Sequence, residues 1–141
     1  MIPEDANTDH DKRLLRSDVG EPTVRMMAMP KDANWLGDIF GGWLMSHADI
    51  AGAVLAYRRA SGKVVTVGVK EFDFTSPVYI GDVVTFFTRI TRVGRTSVTV
   101  NVRVFSERSG AQPGEHLEVA SGSFIYVHVD DLGNAVQVPE N

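Results

Sequence analysis

Between residues 96 and 107 the chain alternates. Val98, Val100, Val102 and Val104 fall on one side, and Thr99, Asn101 and Arg103 on the other. A period of two built on β-branched residues predicts a strand of an antiparallel sheet with one dry and one wet face. Runs rich in β-branched and aromatic residues at 23–29, 63–70, 72–74, 83–91 and 117–129 are further candidate strands. Pro30, Pro77, Gly81-Asp82, Gly94 and the stretch 110–114 separate them with turn chemistry. Residues 43–57 behave differently: they lack Pro, carry Ala48, Ala51, Ala53 and Ala56, and predict a helix. Gly41-Gly42 opens it, Arg58-Arg59 suits its C-terminal end, and Gly62 is the expected stop.

At 100° per residue Leu44, Ala48, Ala51 and Leu55 form one stripe, but Trp43, Ile50 and Val54 lie on a second side and Met45 and Ala53 on a third. A helix apolar nearly all round, and too short to span a membrane, must be enclosed by protein on most sides. The strands that follow supply the wrapper. The expected architecture is α+β: one central helix with an antiparallel meander of about five strands curled round it, the arrangement called a hotdog fold. The polar, mixed-charge segment 1–22 reads as a mobile arm, and 23–141 as one domain without internal repeats.

The 141 residues, 43% hydrophobic and 23% charged, suit one soluble domain able to bury a core without staples. Cysteine is absent, which removes disulfides, thiolate metal sites and thiol nucleophiles. A net charge of −4 argues against a surface that reads nucleic acid through its backbone. No run of about 20 apolar residues is present, and residues 1–21 hold no apolar signal core, so the expectation is a cytoplasmic protein without a membrane partner.

Asp49 is the only carboxylate in the apolar helix. Burying it costs several kcal/mol unless it is hydrogen-bonded or its pKa rises. It is either a functional acid or one half of a structural pair. Met45, Gly52, Ala53 and Ala56 share its side, small enough to admit another backbone or a slim ligand. Gly41-Gly42 places unshielded N–H groups at the positive end of the helix dipole, where a carbonyl can be polarised, although a plain tight turn has the same sequence. Asn34, in the loop before the helix, is a third candidate whose ordinary role is to make a turn. His47 is two residues from Asp49, and residues two apart on a helix do not face each other, so the pair is no metal or acid–base site.

The run Met29-Pro30-x-Asp32-x-Asn34-x-x-Gly37-Asp38-Ile39-Phe40-Gly41-Gly42-Trp43-Leu44-Met45-Ser46-x-x-Asp49 resembles the opening motif of the YciA-like acyl-CoA thioesterases, a hotdog-fold family. The likeness continues through Val64-Val65-Thr66-Val67, Phe74-x-x-Pro77-Val78-x-x-Gly81-Asp82-Val83-Val84, Gly94-Arg95-Thr96-Ser97 and Val127-x-Val129-Asp130 to Gly133. It implies that Asp49 is the catalytic carboxylate, acting as general base on water or as nucleophile through an anhydride. It implies that Asn34, from the opposite protomer, positions water or thioester, and that an N–H near Gly41-Gly42 holds the oxyanion. It also implies an acyl-CoA substrate, a homodimer with shared active sites, and a trimer of dimers.

A thiolate leaves with little protonation, so one base and one oxyanion hole suffice and no metal or cofactor is required beyond the coenzyme A of the substrate itself. The pantetheine arm is expected in a tunnel beside Thr66 and Val67. The coenzyme's phosphates are expected at Arg92, Arg95 and Ser97, with Arg58, Arg59 and Lys63 in reserve. Trp43, Phe72 and Phe74 are either acyl-pocket lining or core. Two other readings stand beside hydrolysis: a non-catalytic acyl-CoA-binding or sensing protein, and a hotdog enoyl-CoA hydratase or dehydratase, for which His47 is badly placed.

Overall fold

The alternating and β-branched runs form strands β1 (Glu21–Met27), β2 (Val64–Phe74), β3 (Val83–Val93), β4 (Ser97–Glu107) and β5 (Leu117–His128), with one helix, α1 (Gly41–Ala60), between β1 and β2. The computed structural model describes residues 20–112 and 114–140. The arm expected over 1–22 lies outside them apart from its last three residues, of which Glu21 and Pro22 belong to β1.

All strand pairs are antiparallel, and the sheet order is β1-β3-β4-β5-β2. This corrects the simple meander: β2 pairs with β5, not with β3. A strand has two edges, and those of β3 are taken by β1 and β4, so the strand that leaves the helix finds its place on the open side of β5. The runs at 63–70 and 72–74 are one strand, interrupted where the register slips between Thr66 and Gly68 and again between Lys70 and Asp73. Glu71, at φ 54°, takes the left-handed conformation that the second bulge requires.

The helix lies on the concave face of the sheet and touches every strand. Its stripe of Leu44, Ala48, Ala51 and Leu55 is buried against Val98, Val100, Val102 and Val104, which are fully enclosed. Each such valine contributes about 1.5–3 kcal/mol relative to exposure. Full enclosure of the helix is not observed. Ile50 and Tyr57 are 55% and 58% exposed, because one curled sheet covers only one side of a helical cylinder. Val65, Val67 and Val69 of the edge strand β2 are uncovered as well. The helix ends at Ala60, two residues before the expected stop at Gly62, and is capped by Ser61 in the left-handed conformation (φ 55°). Gly62 answers a different need, since a Cβ there would come within 2.6 Å of the His128 ring.

The β2–β3 connection is pinned by Asp82, which is 1% exposed. Its Oδ2 accepts from the Tyr79 N–H at 3.0 Å and the Ser106 hydroxyl at 2.8 Å, and lies 3.0 Å from Arg108 Nε. Arg108 also donates to the Pro77 carbonyl and stacks over the Tyr79 ring. Among the described residues no helix is long and apolar enough to cross a membrane.

Candidate active site

Asp49 sits half-buried on the third turn of α1, and its Oδ1 accepts the Thr66 hydroxyl at 2.7 Å. Thr66 pairs across the sheet with Tyr126, and Tyr126 with Val98, so the three side chains share the face turned toward the helix. The Tyr126 hydroxyl donates to the Asp49 main-chain carbonyl at 2.7 Å. Burial pushes the Tyr126 phenol well above its usual range, and the Asp49 charge and a side-chain hydrogen bond with Asp49 add to the effect. The phenol is therefore a neutral donor at any physiological pH.

The second group of candidates lies at the start of the helix, about two turns before Asp49. Asn34, Gly41, Leu44, Phe74 and residues 75–78 line an open cleft of about 400 Å³ together with Asp38 and Ile39. No side chain caps the start of α1, where Phe40 is the N-cap and 55% exposed. A Cβ at Gly41 would meet the Phe74 ring at 3.1 Å, whereas Gly42 faces open space. Asn34 does make a turn: its Oδ1 accepts the Leu36 and Asp38 N–H groups at 2.9 and 3.2 Å. That turn presents it to the cleft, with Trp35, 92% exposed, at the loop tip.

Asp49 is not part of that cleft. Eight residues of helix rise about 12 Å between Gly41 and Asp49. The free N–H groups also point toward the helix start, away from Asp49. Asp49 and Gly41-Gly42 thus stand about two helical turns apart along α1.

Thr66, expected beside the pantetheine arm, donates to the Asp49 carboxylate. Val67 occupies the first bulge of β2 and is 58% exposed. Arg92, Arg95 and Ser97 lie at the β3–β4 turn, at the sheet end where β2 starts, and Ser97 pairs with Val127 one step from the Thr66–Tyr126–Val98 row. Lys63 is at the same end. Arg58 and Arg59 follow at the end of α1, where Arg58 lies 3.9 Å from Glu21 and Arg59 donates to the Pro139 carbonyl. Of the aromatics, Phe74 lines the cleft, while Phe72 packs on Phe124 and Trp43 on His47 and Phe86. The His47 Nδ1 is engaged with the Trp43 carbonyl at 2.9 Å.

Residues 36–112 match the family model described as the thioesterase superfamily. The acyl-CoA thioester hydrolase YciA of Salmonella typhimurium is 45% identical over 121 residues, covering 85% of this chain and 91% of the relative. The chain belongs to the thioesterase superfamily, among its YciA-like members. Two solved structures extend the likeness. HI0827, a hexameric broad-specificity acyl-coenzyme A thioesterase solved as an Asp-to-Ala mutant, superimposes with a TM-score of 0.82 at 40% identity, covering 86% of this chain and 88% of that one. A Staphylococcus aureus acyl-CoA hydrolase, in complex with butyryl coenzyme A and coenzyme A, gives 0.76 at 28% identity, covering 82% of this chain and 70% of that one. That enzyme has also been solved with an Asn, an Asp and a Thr each replaced by Ala, and these three are spaced 15 and 17 residues apart. Asn34, Asp49 and Thr66 of this thioesterase have the same spacing.

Sequence reasoning missed Tyr126. The one signal for it was Gly52, a glycine inside a helix on the Asp49 side, which usually marks a close approach. A Cβ at Gly52 would lie 2.3 Å from the Tyr126 hydroxyl.

Proposed function

We propose that this protein hydrolyses acyl-CoA thioesters to free acid and coenzyme A in sites shared between two protomers. The observation that carries the reading is the Asp49 carboxylate, held by Thr66 with Oδ2 left for a water or a thioester, in a chain 45% identical to YciA. Asp49 removes a proton from water as the water oxygen attacks the thioester carbonyl, or attacks that carbon itself to form an anhydride that water then opens. The carbonyl oxygen becomes an oxyanion facing the uncapped N–H groups at Gly41-Gly42, and collapse expels the coenzyme A thiolate. Because that thiolate is a good leaving group, the reading assigns no metal or cofactor.

The rise of about 12 Å along the helix between Gly41 and Asp49 supports a dimer in which Asn34 and Gly41-Gly42 of one protomer meet Asp49 and Thr66 of its partner. The uncovered Ile50, Tyr57, Val65, Val67 and Val69 support the same assembly, since pairing would remove this apolar surface from water. The hexameric relatives favour three such dimers. Arg92, Arg95 and Lys63, exposed at one sheet end, are assigned to the phosphates, with Ser97 beside them and Arg58 and Arg59 nearby. The cleft beside Phe74 is assigned to the acyl end. The reading takes the cytoplasm as the setting, in keeping with a water-soluble coenzyme A ester.

The test is coenzyme A release from short, medium and long acyl-CoAs by wild type and Asp49→Asn, with assembly followed by light scattering. Release that falls at least about a hundredfold in an intact Asp49→Asn assembly is expected, because the amide keeps the shape and loses the base. Tight acyl-CoA binding without release would overturn the hydrolase reading in favour of a sensor, and turnover of an enoyl-CoA to a hydroxyacyl-CoA would make it a hydratase.

A further inference from the structure

Asp49 is fixed at two points, and both anchors come from one cross-strand row. Thr66 holds the carboxylate and its Cα partner Tyr126 holds the main-chain carbonyl of the same residue. A helix carbonyl normally has one donor, the N–H four residues on. A second donor from a buried strand ties this turn of the helix to the sheet.

The contact is made at two local costs. A hydroxyl buried at Tyr126 is unfavourable without a partner, where Phe would fill the same space freely. A glycine at position 52 weakens the helix relative to alanine. Its missing side chain is the notch that lets the hydroxyl reach the backbone. Both costs converge on the residue that the hydrolase reading places at the reacting centre.

We propose that Tyr126 is a positioning residue of the hydrolase, clamping the helix turn that bears Asp49 so that, with Thr66, the carboxylate is presented in a single geometry. This rests on the hydrolase reading above. With backbone and Oδ1 both tethered, Oδ2 is left in a fixed place to meet the water or thioester. Loosening either tether leaves substrate binding intact and makes the productive alignment rarer.

The test compares wild type, Asp49→Asn, Tyr126→Phe, Thr66→Val and the Tyr126→Phe/Thr66→Val double variant on one acyl-CoA, with melting temperature and assembly recorded for each. Tyr126→Phe is expected to lower kcat about tenfold with KM within about twofold of wild type. The double variant should lose less than the product of the two single losses, because both release the same carboxylate. Gly52→Ala, which crowds the hydroxyl off the carbonyl, should show the same fall in kcat at unchanged KM where it assembles. A wild-type kcat in Tyr126→Phe overturns the proposal, as does a double-variant loss that simply multiplies, since a purely structural role predicts independence. Turnover that survives Asp49→Asn overturns the hydrolase mechanism itself, and is read from a different variant than the failure of the clamp.

Discussion

Two impaired variants, mixed, should restore about a quarter of wild-type turnover if each site is drawn from two protomers. The perturbations are Asp49→Asn, which removes the base, and Asn34→Ala, which removes the cleft amide and releases the Leu36 and Asp38 N–H groups it holds. The helix carries Asp49 about 12 Å beyond the N–H groups at Gly41, and the shared-site proposal has one protomer supply one half of each site. Random reassortment makes about half of the dimers mixed. In each mixed dimer one site combines the intact Asp49 of one chain with the intact Asn34 of the other, and the second site carries both lesions. Half the dimers with half their sites active gives the quarter. If each site instead lay within one protomer, the mixture would show only about half of the residual rate of Asn34→Ala. The assay is coenzyme A release read with a thiol reagent, which sees no background because the chain has no cysteine. Equal co-expression, with composition verified by mass spectrometry, supplies the mixed assemblies. A rate no higher than that half-residual value in verified mixed dimers refutes the shared-site geometry.

Two further outcomes follow from the buried polar groups. Asp82→Ala removes the acceptor of Tyr79 and Ser106 and the ion-pair partner of Arg108, and should lower unfolding stability by about 3 kcal/mol, checked by urea denaturation at fixed protein concentration. A loss below about 1 kcal/mol would mean that water replaces the carboxylate there. Tyr126 concerns alkaline stability: burial and the Asp49 charge lift its phenol above the ordinary value of 10.0. Below that pH both folded and unfolded chains keep the proton. Above it the unfolded chain loses it while the folded chain does not, so stability falls as pH rises. Urea unfolding from about pH 9 to about pH 11 should show a shallower alkaline decline in Tyr126→Phe than in wild type, and equal slopes would contradict the buried donor.

The alternating valines of 98–104 and the alanine-rich run after Gly41-Gly42 made the strands, the helix and the buried stripe readable, since local periodicity records which face turns inward. Asp49 stood out for the same reason, as a charge where the pattern asks for an apolar residue. Asn34 and Gly41-Gly42 were legible as a loop amide and a helix start, with the cleft between them left to the fold.

Pairing and distance were not local, and the chain alone did not record them. Whether the strand after the helix joins β3 or β5 depends on which edges are already taken, a property of the finished sheet. The bulges at Val67 and Glu71 shift the register, and that shift decides that Thr66 stands beside Tyr126 and beneath Asp49. Tyr126 is 77 residues from its partner, so only the helix packing on the sheet, through the notch at Gly52, brings the two together. The sequence by itself determined the elements, the inward faces and the acid that breaks them. The tertiary structure alone decided what holds that acid and how far it stands from the cleft, because both are set by contacts that close only when distant segments pack.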